Sequence, residues 1–310
     1  MVLKDFAQLE QAARSSPRRK MAVAAAQDPH TLAAVRDAAA EGLVDYLLVG
    51  DPGAIRDAAR TVGFDPAADR ILAAPDEDAA ARRAVALVRE GKAQLLMKGK
   101  LPTATLLRQV VNKETGIGTG RLMSHLALFQ IPGQPKLIAV TDGGMVPAPG
   151  LAEKKAILEN AVACLQGLGI REPRVAVLCP VEMVDPKLPS TLDAGALAEM
   201  NQSGALPGCV VAGPISMDLA MSQESAAQKG FQSPVTGEAD LLLVPDLCCG
   251  NILGKAFIYT AGAIMAGCIL GARVPIVLCS RGATAQEKRY SIALAALAGA
   301  PPTTERKETR

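Results

Sequence analysis

The stretch Val274-Pro275-Ile276-Val277-Leu278-Cys279-Ser280-Arg281-Gly282-Ala283-Thr284-Ala285-Gln286-Glu287-Lys288-Arg289 decides how the chain is read. Its first half is a short apolar run rich in β-branched residues, the signature of a buried strand. The run breaks off at a hydroxyl, a guanidinium and a glycine. Thr284 then stands where it can cap an Ala-rich helix through Glu287 and Ser291 to Leu297. In an open α/β sheet, the carboxyl end of a strand facing the next helix N-terminus is where anionic ligands are received. Arg281 can grip an oxyanion through two N–H groups, and Ser280 can add a hydrogen bond. With Thr284 as cap, Glu287 falls at the third helical position, from which it either closes a capping box or turns back toward Ser280. The alternative is structural only: Ser280 and Thr284 satisfy turn amides while Arg281 pairs with Glu287 at the surface.

The same strand-turn-helix pattern recurs upstream. Strands are expected over 21–26, 46–49, 70–73, 93–97 and 137–140, and helices over 4–14, 32–41, 54–60, 79–90 and 105–111. Asp28 or Thr31 would cap the second helix, and Gly42 and Gly91 stop two of them. Alternation of this kind argues for βαβ units and a mostly parallel sheet. The turn Met97-Lys98-Gly99-Lys100-Leu101-Pro102-Thr103 joins a strand end to a helix and sets two lysines and a threonine where phosphate groups are bound. Arg108 lies on the helix that follows. It can equally be an ordinary capped loop with solvated lysines.

Gly116-Ile117-Gly118-Thr119-Gly120 follows a helix rather than a strand and misplaces its third glycine, so it reads as a connection and not a dinucleotide fingerprint. Asp142, after the strand 137–140, either orients a substrate or makes an Asx-turn. Pro and Gly cluster at 147–150, the best linker. Beyond it come helices over 153–168 and 191–200, and strands over 175–178, 209–212 and 240–244.

Composition bounds the function classes. A 310-residue chain with formal net charge +2 has room for one large or two medium domains and no strong pull toward nucleic acid or anionic membrane. Aromatic content is 3% with no Trp, which argues against base-stacking platforms. The seven cysteines lack CxxC spacing and there are two histidines, so a zinc cluster is not expected; reduced, buried thiols and a cytosolic location are. The N-terminal segment lacks an apolar signal core. The uncharged run 256–272 is short for a membrane span and is expected to be a buried helix.

Several turns then stand together in order: Leu96-Met97-Lys98-Gly99 with Thr103, Ser124-His125, Thr141-Asp142, Lys154 with Asn160-Ala161, and Val181-Glu182. Thr191 with Asp193-Ala194, Gly213-Pro214-Ile215 with Asp218, and Lys229-Gly230 follow. The last are 240–246, Gly250-Asn251 with Lys255, and Ser280-Arg281. Over about 20–297 this set resembles the phosphate acetyl/butyryltransferase family, and its Met-Lys-Gly, Ser-His, Thr-Asp and Val-Glu versions look more like the butyryltransferase branch.

The resemblance implies a reversible reaction in which acyl-CoA and phosphate give acyl phosphate and CoA, with CoA as substrate and no permanently bound cofactor or metal. It implies an α/β protein of two domains with mostly parallel sheets and an interdomain cleft, like isocitrate and isopropylmalate dehydrogenases. The first domain would comprise 1–146 plus 280–310 and the second 147–279. A homodimer or larger homo-oligomer is implied, and a functional pairing with an acyl-phosphate kinase is open. Glu287 matches the acidic base of acetyltransferase members, Ser280 the donor to the carbonyl or leaving phosphate, and Arg281 the holder of the phosphoryl oxygens. Thr103 and Arg108 match positions near the substrate phosphate. Lys98, Ser124, Asp142, Asn251 and Lys255 complete the expected phosphate and CoA contacts.

This chain has Tyr259 near the place where acetyltransferase members carry an arginine, and Ala283 where they carry a cysteine, so the identity of the base and the acyl-chain length stay open. Two rivals remain: a CoA or acyl-phosphate binding protein without turnover, and a metal- and NAD-dependent decarboxylating dehydrogenase of the same fold. The latter needs clustered aspartates, whereas these sit singly at strand ends.

Overall fold

The computed structural model describes residues 3–280 and 282–298. Arg281 and the polar tail lie outside the described residues. The strands are β1 Arg19–Ala24, β2 Val44–Gly50, β3 Ile71–Ala73, β4 Leu95–Lys98, β5 Ser124–Gln130, β6 Ile138–Thr141, β7 Arg174–Leu178, β8 Val210–Ile215, β9 Leu241–Leu243, β10 Ile264–Leu270 and β11 Ile276–Val277. The α-helices are α1 Phe6–Arg14, α2 Pro29–Ala40, α3 Pro52–Thr61, α4 Glu77–Arg89, α5 Thr103–Val110, α6 Leu151–Gly167, α7 Pro189–Gln202, α8 Met217–Met221, α9 Gln223–Lys229, α10 Leu247–Ala261 and α11 Ala285–Ala298.

All strands join one 11-stranded sheet in the order β3-β2-β1-β4-β11-β10-β5-β6-β9-β7-β8. Pairing is antiparallel only around β10 and β5, which pair with each other, with β11 and with β6. The two flanks are parallel.

Strand alternation sorts the side chains into layers. Met21, Val23, Leu126, Leu128, Val175 and Leu241 face a core covered by α1, α2, α3, α6, α7 and α11. On the opposite face, Ala22, Ala24 and Leu96 pack under α4 and α5. Farther along that face, Val140, Ala176 and Leu242 pack under α8, α9 and α10. Between α5 and α10 the second face is not closed by a helix, and there the sheet floor is open to a ligand.

Helix starts are set locally. Asp5, Asp28, Asp51, Asp76 and Asp246 each accept a hydrogen bond from the N–H three residues on, at 2.6–2.8 Å. Such caps stabilise by about 1 kcal/mol each. Asp28, rather than Thr31, caps α2, and the Thr31 hydroxyl donates to the same carboxylate at 2.6 Å. The last helix returns to the beginning of the chain. Arg289 meets Glu10 at 2.7 Å and Glu41 at 2.6 Å, and the rings of Phe6 and Tyr290 stack with centroids 4.5 Å apart.

One expectation fails clearly. The run 256–272 is not a buried helix. α10 stops at Gly262, whose φ of 66° is left-handed, and the chain then forms β10 near the middle of the sheet. A strand that is apolar on both faces shows no alternation, so an uncharged run does not reveal which half is helix. Nor is α10 buried throughout: Tyr259 is 83% and Ile252 63% exposed, and only Gly250, Gly254 and Phe257 are buried. Among the described residues, no helix is long and apolar enough to cross a membrane. The cysteines are free, but Cys248 and Cys249 are exposed rather than buried.

The turn after β4 is pinned to the end of β1. Gly99 N–H donates to Ala24 O at 2.8 Å and Lys100 N–H to Ala25 O at 2.7 Å. A Cβ on Gly99 would sit 2.2 Å from Ala25 O and 2.7 Å from Ala24 O, both backbone atoms that cannot swing aside. Gly99→Ala is therefore expected to cost at least about 1–3 kcal/mol, the usual range for overpacking. The check is the midpoint of urea unfolding, and an unchanged midpoint would mean that the turn yields more readily than this packing implies.

Candidate active site

Ser280 lies three residues past the end of β11, where the chain turns: Ala283 N–H donates to Ser280 O at 3.1 Å. The helix after it begins with a complete capping box. Glu287 N–H donates to Thr284 Oγ at 3.1 Å, while Glu287 Oε2 accepts from Thr284 N–H at 2.8 Å and from the Thr284 hydroxyl at 3.0 Å. Of the two sequence alternatives for Glu287, the carboxylate thus closes the box, through one oxygen. Glu287 Oε1 makes no hydrogen bond to a described residue, and neither does the Ser280 hydroxyl.

Lys98 ends β4, and its ammonium donates to Gly99 O at 3.2 Å and Leu101 O at 3.1 Å. Thr103 is the first residue of α5. Asn251 and Lys255, four residues apart on α10, share one helix face. Lys98, Thr103, Asn251, Lys255, Ser280 and Glu287 all line one cavity of about 740 Å³ in the opening between α5 and α10. That size is within the range of small-molecule and cofactor sites. Lys98, Cys279 and Ser280 also border a second cavity of about 340 Å³, walled in part by Lys100 and Lys288.

The remaining expected contacts are not brought to the large cavity. Arg108 projects from α5 with its side chain 69% exposed and its guanidinium 4.0 Å from Asp78 on α4. Ser124 is buried, accepting a hydrogen bond from Asn160 at 3.0 Å, and it lies on the face of β5 turned away from the cavity. Asp142 is buried as well. Its Oδ1 accepts from Gly144 N–H at 2.7 Å and Met145 N–H at 2.8 Å, the Asx-turn alternative, and its Oδ2 accepts from His125 N–H at 3.0 Å. Asp142 therefore organises the cavity wall without bordering it. Arg281 lies outside the described residues.

The floor of the cavity went unread in the sequence as floor. It is built from β5, where His125, Ala127 and Phe129 alternate with the buried Leu126 and Leu128. Ser124-His125 stands out as a motif, and the short continuous apolar run Leu126-Ala127-Leu128-Phe129 beside it is the signal that would have assigned a strand. The His125 ring fits between two glycines. A Cβ on Gly267 would lie 2.8 Å from its Nε2, and one on Gly144 would lie 3.0 Å from its Cγ. Burial lowers the pKa of this imidazole below the ordinary histidine value, opposed in part by the Asp142 carboxylate, so at neutral pH it is the uncharged form that faces the cavity. Burial also pushes the Cys279 thiol up, which keeps the sulfur beside Ser280 protonated.

A polar mouth carrying lysines, a serine and a carboxylate thus leads to an apolar floor with a neutral imidazole. Residues 72–296 match the family described as Phosphate acetyl/butaryl transferase. The chain belongs to that family. It is 42% identical to the phosphate butyryltransferase of Clostridium acetobutylicum over 296 residues, 96% of this chain and 98% of that one. It is also 39% identical to the phosphate acetyltransferase of Thermotoga maritima, over 90% of this chain and 95% of the relative.

Among solved structures, a branched-chain phosphotransacylase from Enterococcus faecalis V583 superposes with a TM-score of 0.79 at 31% identity, covering 90% of this chain and 98% of that one. A 4-hydroxythreonine-4-phosphate dehydrogenase from Burkholderia phymatum, at 16% identity and a TM-score of 0.52, covers 90% of this chain and 99% of its own. That likeness is one of fold alone. Like these phosphotransacylases, the family member described here is an acyltransferase.

Proposed function

We propose that the chain moves a short-chain acyl group reversibly between CoA and inorganic phosphate, with the reacting carbonyl held beside Ser280 in the large cavity. The observation that carries this is the convergence of Ser280, Lys98, Thr103, Asn251, Lys255 and Glu287, from three separate parts of the chain, on one cavity wall.

In the CoA-forming direction, the thiol proton passes to Glu287 Oε1 and the sulfur attacks the carbonyl carbon of the acyl phosphate. The C–S bond forms, and the carbonyl electron pair moves onto oxygen, where the Ser280 hydroxyl donates to it. Collapse of the tetrahedral intermediate breaks the bond between the carbonyl carbon and the phosphate oxygen. Inorganic phosphate leaves with that electron pair, its oxygens held by Arg281 and Lys98. Thr103, at the first turn of α5, adds a hydroxyl where the helix N-terminus already favours negative charge. The reverse reaction retraces these steps. Neutral His125 contributes polarity without a charge at the inner end.

The chain is further proposed to work as two α/β units, 1–146 with 280–310 and 147–279. The return of α11 onto α1 and α2 supports this division. A cytosolic homo-oligomer acting beside a kinase that consumes the acyl phosphate completes the proposal. Exposed Ile252 and Tyr259 on α10 are compatible with contact between subunits.

The test is release of CoA thiol from butyryl-CoA by the purified full chain. Release is expected only when phosphate is present; no release with acetyl-, propionyl- or butyryl-CoA would remove this function.

A further inference from the structure

We infer that the sheet floor between His125 and Phe129 is the acyl pocket, and that it selects acyl groups of four to five carbons over acetyl. This rests on the acyltransfer reading above and names the substrate class of that site.

Strand register sets the shape of the floor. On β5, His125, Ala127 and Phe129 point to the cavity. Directly opposite Ala127 stand Gly267 of β10 and Val140 of β6. Directly opposite Phe129 stand Met265 and Ile138. The floor therefore has a low step, Val140 and Ala127, next to a high one, Phe129 and Met265. In place of a side chain, the space above Gly267 holds the His125 ring, which bounds the low step at its other end.

Phe129 is a fixed end wall rather than a yielding one. Its ring meets Phe257 of α10 edge-on, with centroids 5.3 Å apart, and a Cβ on Gly254 would be 3.1 Å from its Cζ. Same-face neighbours on a strand are about 7 Å apart, so His125 and Phe129 stand about 13 Å apart at the backbone with Ala127 midway. Once both rings and the van der Waals radius of a terminal methyl are taken from that span, the depression suits a chain of three or four carbons beyond the carbonyl, each C–C bond being about 1.5 Å long. Acetyl would leave it empty. A chain of six or more carbons would run into Phe129.

The measurement is kcat/KM for acetyl-, butyryl-, 3-methylbutanoyl- and hexanoyl-CoA with phosphate, for the wild type, Ala127→Leu and Phe129→Ala. One methylene in an apolar pocket is worth about 10–200-fold in kcat/KM. The wild type is accordingly expected to favour butyryl and 3-methylbutanoyl over acetyl by at least about tenfold. Ala127→Leu fills the low step and is expected to reduce the butyryl-to-acetyl ratio at least about tenfold. Phe129→Ala removes the wall and is expected to raise the hexanoyl-to-butyryl ratio by a similar factor.

The Phe129 arm stands on its own if Ala127→Leu does not fold, as judged by circular dichroism. Acetyl preference in the wild type, or variants that change every substrate in the same proportion, would overturn the pocket while leaving acyl transfer intact. Failure of the wild type on all four substrates would instead overturn the acyltransfer reading itself.

Discussion

Ser280→Ala is expected to lower kcat for CoA release by about 10²–10³-fold, the loss typical when one donor to a developing oxyanion is removed. KM should change little, because the serine's hydrogen bond strengthens only as charge builds on the carbonyl oxygen. Geometry supports the assignment. The Ser280 hydroxyl makes no hydrogen bond to a described residue that the variant would lose, and the turn is held by the backbone bond from Ala283 N–H to Ser280 O. Thermal stability should accordingly be close to that of the wild type. Steady-state kinetics in both directions check this; near-normal turnover would assign the oxyanion to another donor.

Glu287→Gln is the second large effect. Proton transfer by a positioned side chain contributes about 10²–10⁴-fold, so the CoA-acylating direction should slow by that order at neutral pH. Rising pH should restore part of the rate, as the free thiolate of CoA becomes populated without the missing base. Fold and mechanism are separable here. Glutamine also closes capping boxes, so its side-chain oxygen can take over the bonds from Thr284 N–H and the Thr284 hydroxyl. A stable variant with an unchanged pH–rate profile would place the base elsewhere in the cavity.

Much of the architecture was legible in the sequence because it is locally determined. Aspartates before helices, glycines after them and short β-branched runs between them carry the strand-helix alternation without reference to distant residues. The Thr284–Glu287 box is readable for the same reason, since its donors and acceptors are three residues apart. What escaped depends on the sheet. The run 256–272 is uncharged throughout because α10 turns only part of itself to β6, while β10 packs on the helical core with one face and borders the apolar cavity floor with the other, and neither leaves a period to read. Arg108 had the right charge and spacing for a phosphate ligand, but its position on α5 sends it toward Asp78 and solvent. Ser124 and His125 are adjacent in sequence, yet strand alternation buries one and turns the other to the cavity.

The apolar floor was least visible of all. Ala127, Phe129, Met265 and Gly267 carry no chemical signal singly, and they form a depression only once β5 and β10 pair in the observed register. The polar half of the site was readable as motifs; the half that would choose the acyl chain exists only in three dimensions.

Acyl transfer to phosphate yields two products, and both can be followed in one tube. The wild-type chain is mixed with butyryl-CoA and inorganic phosphate, thiol is titrated, and phosphorus NMR follows the phosphate. The expected result is butyryl phosphate appearing in equal amount with free CoA, and neither product when phosphate is omitted. Thiol released without acyl phosphate, or no product under either condition, would contradict acyl transfer at Ser280.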